Sequence, residues 1–396
     1  MKIAYIHIYT PFGETTGVEN FLLTVLRGLD KSKYQPAVFV TRNSVFKKDV
    51  LETGAECIEV DVPLGLLQMT RSLDPANMVR GLTMLPNFLG LRSRLGGMLR
   101  EWGADVVHTN HHVSNFYGGA AAEAAQLPCV WHVHEPIFNK RMAAIYRTFA
   151  KKYADHIICV SRWEQVVNFP DEIAFPNVSV VYNGFNFPEF RAKADRAGFR
   201  HEFGFSDDTP VIGYVSHLAP FKGQPDFLDA LPQVFATFPH ARALVVGGAV
   251  YKAFRDYDQV LKDQAARLGI LDKIVFTGAR RDVASAMAAS DIYACCSRTE
   301  EFNRVVIEAM SLKVPAVTTT PREVSVMVEH DVTGLLVPIA DPGAMGDAFI
   351  RLLGDSSLRE RLGAAGNEYV ERIFSIEKTV ADLCAIYNTM ALAAKR

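Results

Sequence analysis

The sequence predicts an α/β protein built from two doubly wound parallel sheets, one in each half of the chain. Three observations lead to this prediction. Short runs of apolar and β-branched residues recur, a helical pattern follows nearly every run, and one polar stretch divides the runs into two groups. Nearly continuous apolar strands that alternate with helices are typical of parallel sheets covered on both faces. A chain of 396 residues is long enough for two domains of common size.

Twelve strands are predicted from these runs, six on each side of the polar stretch. In chain order they are residues 3–9, 36–41, 105–109, 129–134, 156–161, 178–183, 211–216, 243–248, 274–278, 292–297, 315–320 and 335–339. Residues 186–210 are rich in charge, glycine and proline without a strand pattern, so they are interpreted as a linker. The domains are therefore expected at 1–185 and 211–375, followed by a helical tail.

The composition argues against several classes of function. With 49% hydrophobic and 22% charged residues the chain has the profile of a globular protein, and a net charge of -2 gives no case for nucleic acid as the main partner. Six cysteines form no C-x-x-C pair and are expected to be core residues in a reducing compartment. Because no apolar run reaches transmembrane length and the first residues lack a signal-peptide pattern, we expect a cytoplasmic protein.

Residues 64–100 carry five arginines and one acid beside apolar residues at helical spacing. Two interpretations remain open for this segment. It forms helices that pack on the first sheet, or it presents a basic amphipathic face to a membrane or to an anionic lipid-linked acceptor. The second interpretation would place the protein peripherally at the inner face of the membrane.

Polar residues and glycines follow the predicted strands at one end of both sheets. In open parallel sheets, ligands bind beyond the carboxyl ends of the strands. If the two sheets face each other, these loops line one cleft, which is a common place for a ligand site. The segments are TPFGETTGVEN, HTNHH and HEP in the first half, and HLAPFKG, GAV, ARRD and RTEEFNR in the second.

The segment RTEEFNRVVIEAM combines two acids with a helix start. Residues 303–312 are predicted to be a buried helix with Asn303 as its N-cap, and the N–H groups of its first turn form a ready anion site. Glu308 lies inside this apolar helix and needs a partner to offset its burial. Arg304 is the structural alternative, and a ligand with hydroxyl groups such as a ribose is the functional one. Glu300 lies in the preceding loop.

Lys222 precedes a predicted helix in PFKGQPD, at the carboxyl end of a strand. A compact ammonium group beside a glycine suits phosphate binding, and a solvated surface lysine is the alternative. The chain contains no G-x-S-x-G, no G-x-x-x-x-G-K-[ST] and no strand-linked G-x-G-x-x-G. This argues against a hydrolase, a nucleoside-triphosphatase and a standard dinucleotide enzyme.

Five histidines lie close together in the first half of the chain. Because none has the spacing of a recognised ligand motif, no metal is expected. His132 and His134 alternate along one predicted strand and so share a face, with His134 at the strand's end. The five residues are His108, His111, His112, His132 and His134.

The order of these motifs resembles the GT-B type glycosyltransferases, specifically the retaining family 4 of the glycosyl transferases group 1 type. The resemblance covers nearly the whole chain, and its E-x7-E motif matches Glu300 and Glu308. It implies two Rossmann-like domains that face an interdomain cleft. The N-terminal domain would bind the acceptor, with the C-terminal helix, about 376–396, packed back on it. The other matching segments are ADHIICVS, VVYNGFN, GYVSHLAPFKG, VFTGARRDV, ASDIYACCS, KVPAVTT and VTGLLVP.

The resemblance implies transfer of a hexosyl group from a nucleotide-diphosphate sugar, with UDP or GDP, to a hydroxyl group. The acceptor would be a sugar, a lipid-linked saccharide or a small molecule, as in polysaccharide or glycoconjugate biosynthesis. The nucleotide-sugar is a substrate, so the resemblance implies neither a cofactor nor a metal. Acceptor choice is expected to lie in the loops at about 60–100 and 108–118.

The resemblance also implies roles for single residues. His134 and Glu300 would lie at the reacting centre, Glu308 would hold the ribose, and Lys222 would neutralise the diphosphate. His217 occupies the position of the arginine that usually accompanies this lysine. The remaining donor-side residues would be Gly17, Gly278, Arg280, Phe302, Asn303, Arg304 and Val305, and the acceptor-side residues would be His108, Asn110 and His111.

Three departures from the family pattern keep two alternatives open. Asn303 replaces a glycine, His217 replaces an arginine, and Arg322-Glu323 replaces paired glycines. One alternative is a catalytically weak or inactive nucleotide-sugar-binding relative on the same fold. The other is a sugar-nucleotide epimerase or hydrolase of GT-B type.

Overall fold

The protein is represented by a computed structural model, and the residues that this structure describes are 1–8, 17–63, 65–66, 84–171, 173–249, 251–299, 303–320 and 324–393. The chain forms two compact units. One comprises 1–184 together with 376–396, and the other comprises 185–375. Each unit contains its own parallel sheet, which confirms the prediction of two parallel-sheet α/β domains.

The described residues of the first unit form a seven-stranded parallel sheet in the order β3-β2-β1-β4-β5-β6-β7. Its strands are β1 (Lys2–His7), β2 (Gln35–Thr41), β3 (Glu56–Val60), β4 (Val106–Asn110), β5 (Cys129–Val133), β6 (His156–Cys159) and β7 (Val178–Val180). The helices before the boundary at 184 are α1 (Gly17–Gly28), α2 (Lys47–Glu52), α3 (Leu85–Trp102), α4 (His112–Ala125), α5 (Lys140–Tyr153) and α6 (Arg162–Asn168).

In the second unit, the described residues form a six-stranded parallel sheet in the order β10-β9-β8-β11-β12-β13. Its strands are β8 (Val211–Val215), β9 (Arg242–Val246), β10 (Ile274–Gly278), β11 (Ile292–Cys295), β12 (Ala316–Thr319) and β13 (Gly334–Val337). The helices are α7 (Phe187–Ala192), α8 (Arg196–Glu202), α9 (Gln224–Thr237), α10 (Tyr257–Arg267), α11 (Val283–Ala288), α12 (Arg304–Ser311), α13 (Val324–Met327), α14 (Pro342–Gly354) and α15 (Ser356–Phe374), with short 3-10 helices at Pro220–Lys222, Lys252–Phe254 and Leu271–Lys273.

All twelve predicted strands correspond to observed ones, because central strands of a parallel sheet are apolar along their whole length. Every residue of β4 and β5 is buried, as this rule requires. Strand β3 is not among the predicted strands. Its sequence ECIEV carries two glutamates, and four of its five residues are exposed or half-buried, as expected at the edge of a sheet.

Residues 186–210 are not a linker, contrary to the prediction. They form α7 and α8 and belong to the second unit. Phe187 and Phe199 are buried, and the guanidinium group of Arg200, which is 1% exposed, donates a hydrogen bond of 2.7 Å to the carbonyl oxygen of Ala289. The composition misleads here because few side chains attach these short helices, and the remaining side chains are solvated.

The last helix, α16 (Ile376–Ala393), belongs to the first unit, where it contacts α1. Tyr387 on this helix is fully buried, and the hydroxyl group of Thr379 donates to the carbonyl oxygen of Tyr182 at 2.9 Å. The chain therefore enters the second unit and returns to the first. No helix in the described ranges is long and apolar enough to cross a membrane.

The described part of residues 64–100 packs against the first unit. Arg92 donates to the carboxylate of Glu123 on α4 at 2.6 Å, so at least one of the arginines has a structural partner. Residues 67–83 lie outside the described residues, and contact with a membrane stays a prediction. Three leucines of α3 are fully buried, as expected for helix-on-helix packing: Leu91, Leu95 and Leu99.

Candidate active site

Lys222 ends a short 3-10 helix at the carboxyl edge of the second sheet, between β8 and α9. Its side chain is only 5% exposed, so it is not the solvated surface lysine of the alternative interpretation. Gly223 follows with a φ of +74°, and a Cβ there would lie 2.0 Å from the carbonyl oxygen of Cys296. The N–H of Arg298 donates to the carbonyl oxygen of Phe221 at 2.9 Å. The backbone around Lys222 is thereby held against the end of β11.

Two nitrogen-bearing side chains meet at this edge of the sheet. Burial lowers the pKa of Lys222, and the nearby Cys295 acts in the opposite direction. Burial, followed by the charge of Lys222, also lowers the pKa of His217, so its imidazole is neutral at pH 7. Within the described ranges, no hydrogen-bond partner is found for His217 Nε2. An anion placed here would favour the charged form of both groups.

Helix α12 begins at Arg304 with Asn303 as its N-cap residue. The Asn303 side chain makes no capping hydrogen bond, so the prediction of a cap holds for the backbone position alone. Its Nδ2 instead donates to Cys295 Sγ at 2.8 Å and to Ser297 Oγ at 3.3 Å. The side chain is therefore turned toward the end of β11.

The anion site at the start of α12 has fewer N–H donors than predicted. The N–H of Val306 donates to the carbonyl oxygen of Asn303 at 3.0 Å, which tightens the first turn. Helical geometry then leaves the N–H groups of Arg304 and Val305 without an acceptor inside the helix. Cys295 is a neighbour both of the N-cap residue Asn303 and of Lys222, which places the start of α12 and Lys222 in one region of the second unit.

Glu308 has the structural partner that the sequence offered as an alternative. Its side chain is 8% exposed and accepts a hydrogen bond of 2.7 Å from Arg304 Nε. Burial raises the pKa of Glu308, and Arg304 opposes this shift. The guanidinium group of Arg304 is largely exposed and also lies over the ring of Phe185 at 4.6 Å, so only the Glu308 end of this pair is buried. The ribose-binding role of Glu308 stays a prediction.

Arg280 is held by carboxylates. Its guanidinium group makes two hydrogen bonds with Glu202, at 2.7 and 2.9 Å, and two with Asp282, at 2.8 and 2.7 Å. It also lies over the ring of Phe199 at 5.0 Å. These contacts attach α8 to the end of β10 and give Arg280 a structural role, and its predicted place beside a nucleobase stays a prediction. Gly278 ends β10 with a φ of +73°.

Several predicted donor-side residues lie outside the described residues. These are Glu300 and Phe302, and the pair Arg322-Glu323, which departs from the family pattern, lies outside them as well. Gly17, the first residue of α1, is described, and a Cβ there would meet no described atom within 4 Å. Packing therefore does not require a glycine at this position.

At the carboxyl edge of the first sheet, His134 and Asn110 form a hydrogen bond of 2.8 Å between Nε2 and Oδ1. Because an amide oxygen only accepts, His134 Nε2 carries the proton and Nδ1 is left as the acceptor. The ring of His134 stacks on that of His132, with centroids 4.2 Å apart, as the shared strand face predicted. Burial lowers the pKa of both histidines well below the usual range, so both are neutral.

The structure corrects the predicted place of His108. Its side chain is 2% exposed and lies in the interior, hydrogen-bonded to Tyr387 and His132, so it cannot touch an acceptor. His111 adopts φ 128° and ψ 150°, a region that is nearly exclusive to glycine and costs about 1–3 kcal/mol. Strain of this kind at the junction of β4 and α4 is typical of a functional site, and His111 stays a predicted acceptor-side residue.

The sequence reasoning missed three residues at this edge. His7 Nε2 lies 3.2 Å from Glu19 Oε1, and each side chain is 1% exposed. His7 ends β1, so the criterion that selected His134 could have found it. Tyr387 carried no such signal, because it is 279 residues from its partner His108. Nowhere in the described ranges are three or more His, Cys, Asp or Glu side chains arranged to hold a metal ion.

Two family models match almost the whole chain between them. Residues 15–187 match the model described as Glycosyltransferase Family 4, and residues 195–369 match the model described as Glycosyl transferases group 1. Both matches follow the division of the chain into two units.

Known proteins agree with these matches. An N-acetyl-alpha-D-glucosaminyl L-malate synthase of Bacillus anthracis is 26% identical, with 76% of this chain and 79% of that protein covered. A D-inositol 3-phosphate glycosyltransferase of Mycobacteroides abscessus is 27% identical, with 81% and 70% covered. The crystal structure of Anabaena HepE in complex with UDP has the same fold, with a TM-score of 0.76, 22% identity and coverage of 98% and 100%.

Proposed function

Because this chain belongs to the family-4 glycosyltransferases of the group 1 type, we propose that it transfers a hexosyl group from a nucleotide-diphosphate sugar to a hydroxyl group. The transfer retains the anomeric configuration and uses no metal ion. The donor is a UDP-sugar in the first instance, because a protein of the same fold binds UDP.

The buried Lys222 is the observation that carries this proposal. When the bond between sugar and diphosphate breaks, negative charge develops on the leaving group. An ammonium group in a water-poor site, together with the first N–H groups of α12, is suited to stabilise that charge. Lys222 is 5% exposed, and Cys295 is a neighbour both of Lys222 and of the N-cap residue Asn303, so these groups belong to the same region of the second unit. They supply the positive charge that a metal ion would otherwise supply.

Glu308 supports the binding of a group rich in hydroxyls. A buried carboxylate needs donors, and the surface-exposed Arg304 engages its Oε1. The hydroxyl groups of a ribose would offer further donors to the same carboxylate. Glu300, in the loop before α12, takes the predicted place near the donor sugar.

His134 acts by position in this proposal, and not as a general base. Its Nε2–H is held by Asn110, and burial keeps the imidazole neutral. Nδ1 is buried and has no hydrogen-bond partner among the described residues, so its lone pair is able to accept a hydrogen bond from a hydroxyl group that reaches it and to orient that group. The leaving diphosphate takes the proton of the attacking hydroxyl, so no strong protein base is required.

The acceptor is proposed to be a small hydroxyl compound with an anionic group. The two relatives are named for L-malate and for inositol 3-phosphate, and both compounds combine hydroxyl groups with negative charge. Sugars and lipid-linked saccharides are the other acceptor classes to be examined.

A thermal-shift screen of UDP-, GDP-, ADP- and TDP-sugars on the full chain tests the donor. The donor that raises the melting temperature is then incubated with L-malate, inositol phosphates and simple sugars while nucleotide release is measured. Proton NMR of the product reports the anomeric configuration, and the reaction is repeated with a chelator. We expect one donor class to bind, an α-linked product from an α-linked donor, and equal rates with chelator.

Other outcomes would contradict parts of this proposal. Donor binding without turnover over the whole acceptor panel would favour a nucleotide-sugar-binding relative. Release of nucleotide with a free or epimerised sugar would favour a hydrolase or epimerase. Inversion at the anomeric carbon, or loss of turnover with the chelator, would overturn retention or metal independence.

A further inference from the structure

A chain of buried hydrogen bonds connects the C-terminal helix α16 to the carboxyl edge of the first sheet. Tyr387 Oη lies 3.1 Å from Tyr5 Oη and 2.5 Å from His108 Nδ1. His108 Nε2 in turn lies 3.1 Å from His132 Nδ1. Each of the four side chains is at most 2% exposed, so this series of hydrogen bonds is closed off from water.

All four groups are uncharged at neutral pH. Burial lowers the pKa of His108 to about 3 and that of His132 well below its usual value. Burial likewise raises the pKa of Tyr5 and Tyr387. A neutral imidazole has one N–H and one lone pair, so two imidazoles in series must donate in the same direction. Both histidines therefore carry Nε2–H, or both carry Nδ1–H.

Either arrangement leaves one buried donor without an acceptor among the described residues. If the bonds ran toward Tyr5, that donor would be its hydroxyl group, whose hydrogen-bond partner among the described residues is Tyr387 alone. If the bonds run toward His132, that donor is Nε2–H. The bond between Tyr387 and His108 decides between the two, because a phenol hydroxyl group is a better donor than a neutral imidazole N–H and an imidazole nitrogen is a better acceptor than a phenol oxygen. The first arrangement, in which Tyr387 donates to His108 Nδ1, is therefore preferred.

The ring of His132 is in direct contact with that of His134. The two rings are stacked, 4.2 Å apart and inclined by 27°, and Phe21 meets both edge-on, at 5.2 and 5.5 Å. Asn110 also restrains the ring of His134, through the hydrogen bond between Oδ1 and His134 Nε2. The plane of His134 therefore depends on the plane of His132, which in turn depends on His108 and Tyr387.

We propose that Tyr387, His108 and His132 are positioning residues that fix the ring plane of His134, with both buried histidines held as Nε2–H tautomers. The C-terminal helix is thereby a working part of the site in the first unit. The tautomers follow from the hydrogen bonds alone, whereas the effect on catalysis rests on the proposed glycosyl transfer.

Nitrogen NMR on the full chain labelled at histidine tests the tautomers without any substrate. Signals are assigned with His108→Gln and His132→Gln, and Tyr387→Phe is compared with the wild type. We expect single Nε2–H tautomers in the wild type and mixed tautomers of His108 in Tyr387→Phe. Tyr5→Phe is the matched control, because it removes a buried hydroxyl from the same chain without removing the donor to His108. A wild-type Nδ1–H form, or equal changes in both variants, would overturn the proposal.

Steady-state kinetics tests the consequence for transfer. Tyr387→Phe should lower kcat by about tenfold with the KM of the donor unchanged, because the donor-binding groups lie in the second unit. Tyr34→Phe removes another hydroxyl group of the first unit, one that accepts a hydrogen bond of 3.1 Å from Asn388 Nδ2 on α16, and should leave kcat unchanged. Altered tautomers with an unchanged kcat would overturn the positioning role and leave the proposed function standing. Absence of turnover in the wild type would count against the proposed function, and the NMR result would still decide the hydrogen-bonded chain.

Discussion

Replacement of Lys222 by glutamine separates stability from donor binding. In the ligand-free protein the ammonium group is buried, and burial lowers its pKa. Folding therefore disfavours the charged form of Lys222 relative to the neutral form. Removal of that charge should leave the melting temperature of the empty protein unchanged or slightly higher. With the donor present the same charge faces a diphosphate, and its loss should weaken binding.

The size of the effect follows from ligand linkage. Truncation of one partner of a buried, hydrogen-bonded charge pair costs about 2–5 kcal/mol, and a hundredfold loss of affinity corresponds to about 2.7 kcal/mol. A donor at about 100 times its Kd stabilises the folded protein by about 2.7 kcal/mol, which shifts the melting temperature by roughly 5–10 °C in a unit of this size. After a hundredfold loss of affinity, the same concentration gives about 0.4 kcal/mol, or roughly 1 °C.

Differential scanning fluorimetry with and without the nucleotide-sugar measures both effects, and calorimetry gives the Kd. Lys273→Gln is the matched control, because Lys273 also lies in the second unit, where its ammonium group donates to the carbonyl oxygen of Pro239 at 3.3 Å and lies over the ring of Phe235. The control should keep the full donor-induced shift. If Lys222→Gln keeps it as well, the assignment of the diphosphate site is wrong.

Three further predictions concern the second unit. Because burial and Lys222 lower the pKa of His217, an unfolded chain binds more protons than the empty folded one below pH 6.5, so this histidine destabilises the empty protein as the pH falls. A bound diphosphate raises the pKa of His217, so calorimetry should show tighter binding of the nucleotide-sugar at pH 6 than at pH 7.5. The binding should take up protons, and His217→Gln should remove this uptake. Binding of the nucleotide-sugar without proton uptake would refute this prediction. Arg280→Ala should cost about 1 kcal/mol in thermal unfolding, and the donor Kd decides between its two roles: an unchanged Kd would leave the structural role alone, and a weaker Kd would support the predicted place beside the base. Asn303→Gly should change stability by a few tenths of a kcal/mol and leave donor affinity unchanged, because the side chain is bonded to Cys295 and does not cap α12; a clear gain in affinity would show that the amide obstructs the donor.

Local sequence patterns predicted the secondary structure correctly wherever the residues that determine an element are close together in sequence. The buried strands and helix α12 follow from apolar runs and a 3.6-residue period, and both are properties of a few consecutive residues. Strand β3 and the segment 186–210 were misread for the same reason. These segments are attached to the rest of the protein by a few long-range contacts, such as the hydrogen bond from Arg200 to the carbonyl oxygen of Ala289. No local sequence pattern reveals such contacts.

The candidate site shows the same division. The sequence identified Lys222, Glu308 and His134, because each is a polar residue at the end of an apolar strand or within an apolar helix. It could not show that Arg280 forms ion pairs with two carboxylates, that the Asn303 side chain turns away from its helix, or that His108 is buried.

By itself, the sequence determined that this protein has two parallel-sheet units and which family it resembles, and it predicted a site at the carboxyl ends of their strands. Only the tertiary structure decided which side chains meet there. The folded chain brings distant segments side by side, so that Tyr387 reaches His108 across 279 residues, and Cys295 neighbours both Lys222 and Asn303. Such contacts depend on topology and burial, which are properties of the folded chain and not of any short stretch of it.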